Sequence, residues 1–148
     1  MQKRVTSIVF VVCIWIAFSA AGTNAAVPGT SALQVDAAAW KRLQRMDVGT
    51  RLKITVGSAE AVERYFVQLN DAELVVLNLT AKDLPRRQLL RMAADNPAWI
   101  AGTSRTTYRD NDVRIGPEGL FVKDQRVAEL AAVVEWIPRG QITSVDKG

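Results

Sequence analysis

From Arg51 onward the chain alternates residue by residue between polar and apolar side chains. Leu52, Ile54 and Val56 fall on one side, and Arg51, Lys53 and Thr55 on the other. That is the period of a strand with one dry and one wet face. Ser58-Ala59-Glu60 reads as a turn. Tyr65, Val67 and Leu69 resume the alternation, Asn70-Asp71 turns the chain, and Val75, Leu77 and Leu79 alternate after it. Strands joined by short polar turns predict an antiparallel meander. On this reading Leu52, Val67 and Leu77 point into one interior.

Other stretches follow different rules. Trp40, Leu43 and Met46 recur every three residues, with Lys41, Arg42 and Arg45 turned outward, so one or two helical turns are expected there. Residues 84–96 allow two readings. Pro85 can open a helix that buries Leu89 and Met92 and stops at Asn96-Pro97, or it can form a tight turn before a short strand. Residues 98–112 are polar and read as a long connection. Val113 and Ile115 then run into Gly116-Pro117-Glu118-Gly119, and Leu120 to Val122 returns, which predicts a hairpin. Residues 125–137 are again two-sided. Helix is favoured over Arg126 to Ala132, because Ala, Glu and Leu are good helix formers, and strand suits Val133 to Ile137.

One pattern occurs twice, 53 positions apart. Leu84-Pro85-Arg86-Arg87-Gln88-Leu89 and Ile137-Pro138-Arg139-Gly140-Gln141-Ile142 share the form aliphatic-Pro-Arg-x-Gln-aliphatic. Proline fixes φ and withholds a donor, so each copy is expected to be a structural corner leading into a closing strand. Equivalent binding roles for Arg86 and Arg139 are the functional alternative.

Gly49-Thr50 before the first strand, the meander through Leu79, and the corner Leu84-Pro85-Arg86 together resemble small β-barrels of the Sm-like or SH3-like kind. The likeness covers about Trp40 to Met92. It implies a mainly β fold with an antiparallel barrel and a C-terminal β (or α+β) extension, and the echo at Ile137 implies a second, partial copy. The expected division is therefore 1–25 signal peptide, 26–39 flexible lead-in, 40–96 barrel, 97–112 connecting loop and 113–148 extension or second half-barrel. RNA binding does not carry over from Sm-like proteins. Val62-Glu63-Arg64-Tyr65 stands where such barrels place a glycine in a strongly bent second strand, and no RNA-contact motif is present. Fold likeness does not itself confer function.

The first 25 residues change the setting. Lys3 and Arg4 form a basic head, Val5 to Ala21 is almost wholly apolar, and Gly22-Thr23-Asn24-Ala25-Ala26 supplies small residues for cleavage. This is the layout of a secretory signal, so a periplasmic or secreted protein is expected, touching membrane only through that segment before cleavage. The chain has 148 residues and a net charge of +4. After removal of the signal 17 basic residues face 15 acidic ones, too even a balance to draw in nucleic acid.

Chemistry is restricted by what the side chains offer. Histidine is absent, and the only cysteine, Cys13, lies in the apolar signal core. The mature chain thus has no disulfide and no imidazole or thiol for triad catalysis. No cofactor or metal is expected: Asp110-Asn111-Asp112 with Glu118 offers hard oxygen ligands, but the glycine and distal glutamate of a calcium loop are missing and a polar turn is the better reading. No Gly-rich phosphate loop or nucleophile elbow is present.

Arg105, Arg109 and Arg114, with Trp99 and Tyr108 close by, are the candidate partner-binding residues, a basic-aromatic surface. The expectation is a non-enzymatic exported binding or structural module of the cell envelope. Its partner would be an envelope protein or a cell-wall polymer. Two alternatives are a hydrolase that uses only carboxylates and a subunit that self-assembles through strand edges.

Overall fold

A computed structural model describes residues 35–148. Residues 1–34, with the expected signal segment, Cys13 and most of the expected lead-in, lie outside the described residues. The elements in order are α1 (Ala37–Leu43), β1 (Arg51–Val56), β2 (Val62–Leu69), β3 (Glu73–Leu77), α2 (Arg86–Asp95), α3 (Pro97–Ala101), β4 (Tyr108–Asp110), β5 (Val113–Gly116), β6 (Gly119–Val122), β7 (Gln125–Ala128), β8 (Val134–Pro138) and β9 (Ile142–Lys147). Single-turn 3-10 helices span Leu130–Ala132 and Arg139–Gln141. The protein is mainly β, with two antiparallel sheets. No helix among the described residues is long and apolar enough to cross a membrane.

The larger sheet has the order β8-β3-β2-β1-β9. Its strands come from both sides of the 97–112 stretch. Its two edge strands are consecutive in the chain, joined only by Arg139–Gln141. Flat, the edges of a five-stranded sheet would stand about 19 Å apart. Four residue steps reach about 14 Å fully extended, and less as a 3-10 turn. The sheet must therefore curl, although no ladder joins β8 to β9.

The three-stranded meander is present, but its dry side is not one face. A bulge between Phe66 and Gln68 shifts the register of β2 against β3. Phe66 packs with Leu52, Ile54, Leu74, Val76, Ile137 and Ile142, and Trp40 and Leu43 of α1 join that core. Val67 packs instead with Val75, Leu77, Leu89, Ile100 and Ile115 in a second core. Leu52 and Val67 thus point into different interiors. The pairing of Leu52 with Arg64 already sets Tyr65 and Val67 on the opposite face, and the extra residue of the bulge flips the alternation beyond it, so that Leu69 returns to the first core. All four residues of β3 from Leu74 to Leu77 are buried, two on each core.

The second core explains the middle of the chain. Residues 78–133 leave the large sheet after β3, cover its outer face, and return as β8. Within them α2 turns Leu89, Met92 and Ala93 inward. The second sheet, β4-β5-β6-β7, is a meander of two-residue hairpins at Asn111-Asp112, Pro117-Glu118 and Lys123-Asp124. Lys123 and Asp124 both have positive φ, at 50° and 61°, as a type I′ hairpin turn requires.

Several expectations need correction. Residues 35–39 are no loose lead-in: Val35 is buried, its N–H donates to the Ile142 carbonyl, and the Asp36 side chain caps α1. The 97–112 connection contains α3 and β4. Arg126 to Ala132 is not a helix but β7 and a 3-10 turn, because pairing with β6 outweighs helix propensity.

The two aliphatic-Pro-Arg copies take different structures. After Pro85 come Arg, Gln, Leu, Met and Ala, all good helix formers, and α2 results. After Pro138 come a glycine and the β-branched Ile142, Thr143 and Val145, and a 3-10 turn leads into β9 beside β1. The corner that precedes the strand paired with β1 is Ile137-Pro138-Arg139.

One ion pair spans the inner face of the large sheet. The register partners Leu52↔Arg64 and Val76↔Glu135 place both charges on the face of the first core. Arg64 Nε donates to Glu135 Oε2 at 2.9 Å, and Asn78 Nδ2 donates to the other oxygen at 3.3 Å. The Arg64 side chain is only 13% exposed. Arg64→Met should lower stability by about 1–3 kcal/mol, because Glu135 stays part-buried without its charged partner. Urea unfolding of the two proteins checks this, and equal midpoints would show the pair to be neutral.

Candidate functional site

The five candidate residues separate into three places. Trp99 stands on α3, 38% exposed, and its ring stacks on Tyr108 of β4 with centroids 5.5 Å apart and an interplanar angle of 14°. Gly102 makes room for this pair, since a Cβ there would lie 2.9 Å from the Tyr108 hydroxyl. Arg105 follows α3 and points toward a cleft described below.

Arg109 and Arg114 lie elsewhere. The register Arg109↔Arg114↔Phe121↔Arg126 sets them in one row across the outer face of the second sheet. Ile115 and Leu120, on its other face, are fully buried. Like charges directly opposite each other repel, and acids offset that here. Asp124 accepts from Arg109 at 3.1 Å, Glu118 from Arg114 at 3.0 Å, and Glu129 pairs with Arg126 at 2.7 Å. The Arg114 guanidinium also sits 3.9 Å over the Phe121 ring. This row is charge-balanced rather than basic.

Asp110 is engaged as well. It accepts from Arg91 at 2.6 Å, and that hydrogen bond, followed by the charge of Asp110, raises the Arg91 pKa. Arginine is already protonated at any physiological pH, so its charge does not change. Asn111 has φ of 51° and forms the turn expected before Val113.

The residues that do converge were not visible as a set in the sequence. Gln68, Val75 and Trp136 are register partners across β2, β3 and β8, on the outer face of the large sheet. The end of α3 and the segment that follows it lie over them, fastened by the Trp136 indole N–H, which donates to the Ala101 carbonyl at 3.2 Å. Between them is a cleft of about 430 Å³, lined by Gln68, Glu73 and Trp136 on the sheet side and by Ser104 and Arg105 on the other.

The β2–β3 turn fixes one wall. Asn70 Oδ1 accepts from the backbone N–H groups of Ala72 and Glu73, both at 2.8 Å, and Asn70 Nδ2 donates to Glu73 Oε1 at 3.3 Å. Among the described residues, neither Glu73 nor Arg105 forms an ion pair.

A second hollow of about 440 Å³ lies on the other side of Trp136, lined by Pro117, Leu130, Val134 and the carboxylates Glu129 and Glu135. Both acids are committed, Glu129 to Arg126 and Glu135 to Arg64. Among the described residues no group of three or more His, Cys, Asp or Glu side chains is placed to hold a metal ion. Searches against family models, curated proteins and solved structures each returned no match to this chain.

Proposed function

We propose that the chain is a non-catalytic binding module of the cell envelope, exported to the periplasm or beyond, and that it binds through the cleft between its large sheet and the segment after α3. The fastening of Trp136 to Ala101 carries this reading. It joins two walls distant in sequence around one preformed hollow of ligand size. The basic head, apolar run and small exit of residues 1–26 support export.

The fold is best read as an SH3-like or Sm-like core of β1, β2, β3, β8 and β9 with residues 78–133 inserted. The Ile137-Pro138-Arg139 corner before β9, and the short link that curls the sheet, support that reading.

The rival roles have less behind them. Carboxylate hydrolysis needs two convergent acids, one able to give a proton, whereas Glu129 and Glu135 already serve as arginine acceptors. Self-assembly through an edge is opposed at β7 by a register shift and at β4 by charged Arg109.

Retention of the mature protein on isolated cell-wall polymer and on immobilised envelope protein tests the reading. Wild type should be retained on one of the two, and Ser104→Trp, which fills the cleft from an exposed loop, should reduce retention about tenfold, the equivalent of about 1.4 kcal/mol. Equal retention of the two proteins overturns the cleft as the contact, and passage of wild type through both overturns an envelope protein or cell-wall polymer as the partner.

A further inference from the structure

The cleft holds one carboxylate and one guanidinium on opposite walls, and among the described residues neither is neutralised by an ion pair. We infer that it receives a small zwitterion, a free dipeptide or an amino acid, whose ammonium meets Glu73 and whose carboxylate meets Arg105. The inference rests on the binding role proposed for this cleft and adds the chemical class of the ligand.

Three features support it. The first is availability: six of the twelve described arginines are paired with acids, including every arginine in the row across the second sheet, whereas Arg105, which lines the cleft, is among the six that are not. The second is fixation. Glu73 is half-buried at the start of β3, and the Asn70 turn holds both its backbone N–H and one carboxylate oxygen, which leaves the other oxygen for a donor. A guanidinium binds a carboxylate with two parallel hydrogen bonds, and a carboxylate accepts well from an ammonium.

The third is the lining between the charges. The half-buried Trp136 and the buried Val75 offer apolar contact to a short side chain, and the Gln68 amide offers both a donor and an acceptor to a peptide group. The volume, about 430 Å³, suits a ligand of that size. A purely anionic ligand would meet Glu73 as a like charge, and a purely cationic one would meet Arg105.

The experiment is a 15N-NMR titration of the mature protein with alanyl-alanine, with its N-acetyl form, and with its C-terminal amide. The free dipeptide should shift the amides of Gln68, Gly102 and Arg105 and the Trp136 indole, and each blocked form should bind at least tenfold more weakly. Glu73→Gln should lose the discrimination against N-acetylation and keep that against amidation, and Arg105→Gln should do the reverse. Those crossed losses separate a two-ended site from a general weakening.

If blocked and free forms bind the cleft equally, the zwitterion assignment falls while the cleft remains a binding site. If no form shifts these four probes, the assignment also falls, and retention of wild type but not Ser104→Trp on envelope material then decides whether the cleft serves another ligand. A titration in which Glu73→Gln changes nothing overturns the assignment as well.

Discussion

Gly119→Ala is expected to destabilise the protein by about 2–6 kcal/mol, for two independent reasons that act at one atom. Gly119 has φ of +123°, where L side chains are strained, and residues forced into such regions lose of order 1–3 kcal/mol. The added Cβ would also lie 2.5 Å from the Ala128 carbonyl oxygen and 2.9 Å from Arg126 Nε. The arginine can swing away, but the carbonyl belongs to the adjacent strand and cannot move without disturbing the β6–β7 ladder. Overpacking of that sort adds roughly 1–3 kcal/mol. Gly57→Ala is the control. It too has positive φ, +57°, but nothing stands within 4 Å of the new atom, so about 1–2 kcal/mol is expected from the backbone alone. Urea midpoints for both variants check the difference, and similar losses would show that the second sheet gives way at little cost.

Leu77→Ala should remove about 2–5 kcal/mol, the range for emptying a fully buried leucine site. Leu77 is 0% exposed and packs in the core shared by the large sheet, α2, α3 and the second sheet. Its neighbours Leu74 and Val76 are equally buried in the other core. A strand dry on both faces couples what lies on either side of it. Leu77→Ala and Leu74→Ala should therefore each shift a single unfolding transition, seen alike by far-UV and near-UV circular dichroism. Two resolved transitions, each sensitive to one substitution, would mean that the two cores melt separately.

The parts legible in the sequence were those governed by neighbours in the chain. The alternation of Leu52 with Ile54, the Asn70-Asp71 turn and the Gly116–Gly119 hairpin all follow from local chemistry, and all stand in the structure. The bulge at Val67 was not legible, because nothing in Tyr65-Phe66-Val67-Gln68 marks where the alternation slips. Residues 126–132 misled for a related reason. Their propensity is helical, but the Lys123-Asp124 hairpin delivers them to the open edge of β6, and ladder hydrogen bonds prevail.

The site was less legible than the fold. Clustering in sequence drew attention to Trp99, Arg105, Tyr108, Arg109 and Arg114, yet a strand sends alternate residues to opposite faces, and Tyr108 and Arg109 part company at once. The cleft draws on residues 68, 73, 104, 105 and 136. No spacing along the chain announces such a set, because it is assembled by the register of three strands and by one indole hydrogen bond.

The pairing of β9 with β1 has a consequence for how the protein comes into being. The Thr143 hydroxyl donates to the carbonyl of Thr55, 88 positions earlier in the chain. A polypeptide that emerges from its N-terminal end presents β1, β2 and β3 long before the partner of β1 exists. Until Ile142–Lys147 arrives, one margin of that nascent sheet is open to strangers, and closure over so long a loop is slow. The alternating charges of Arg51 and Lys53, set along that margin, discourage mispairing during the wait.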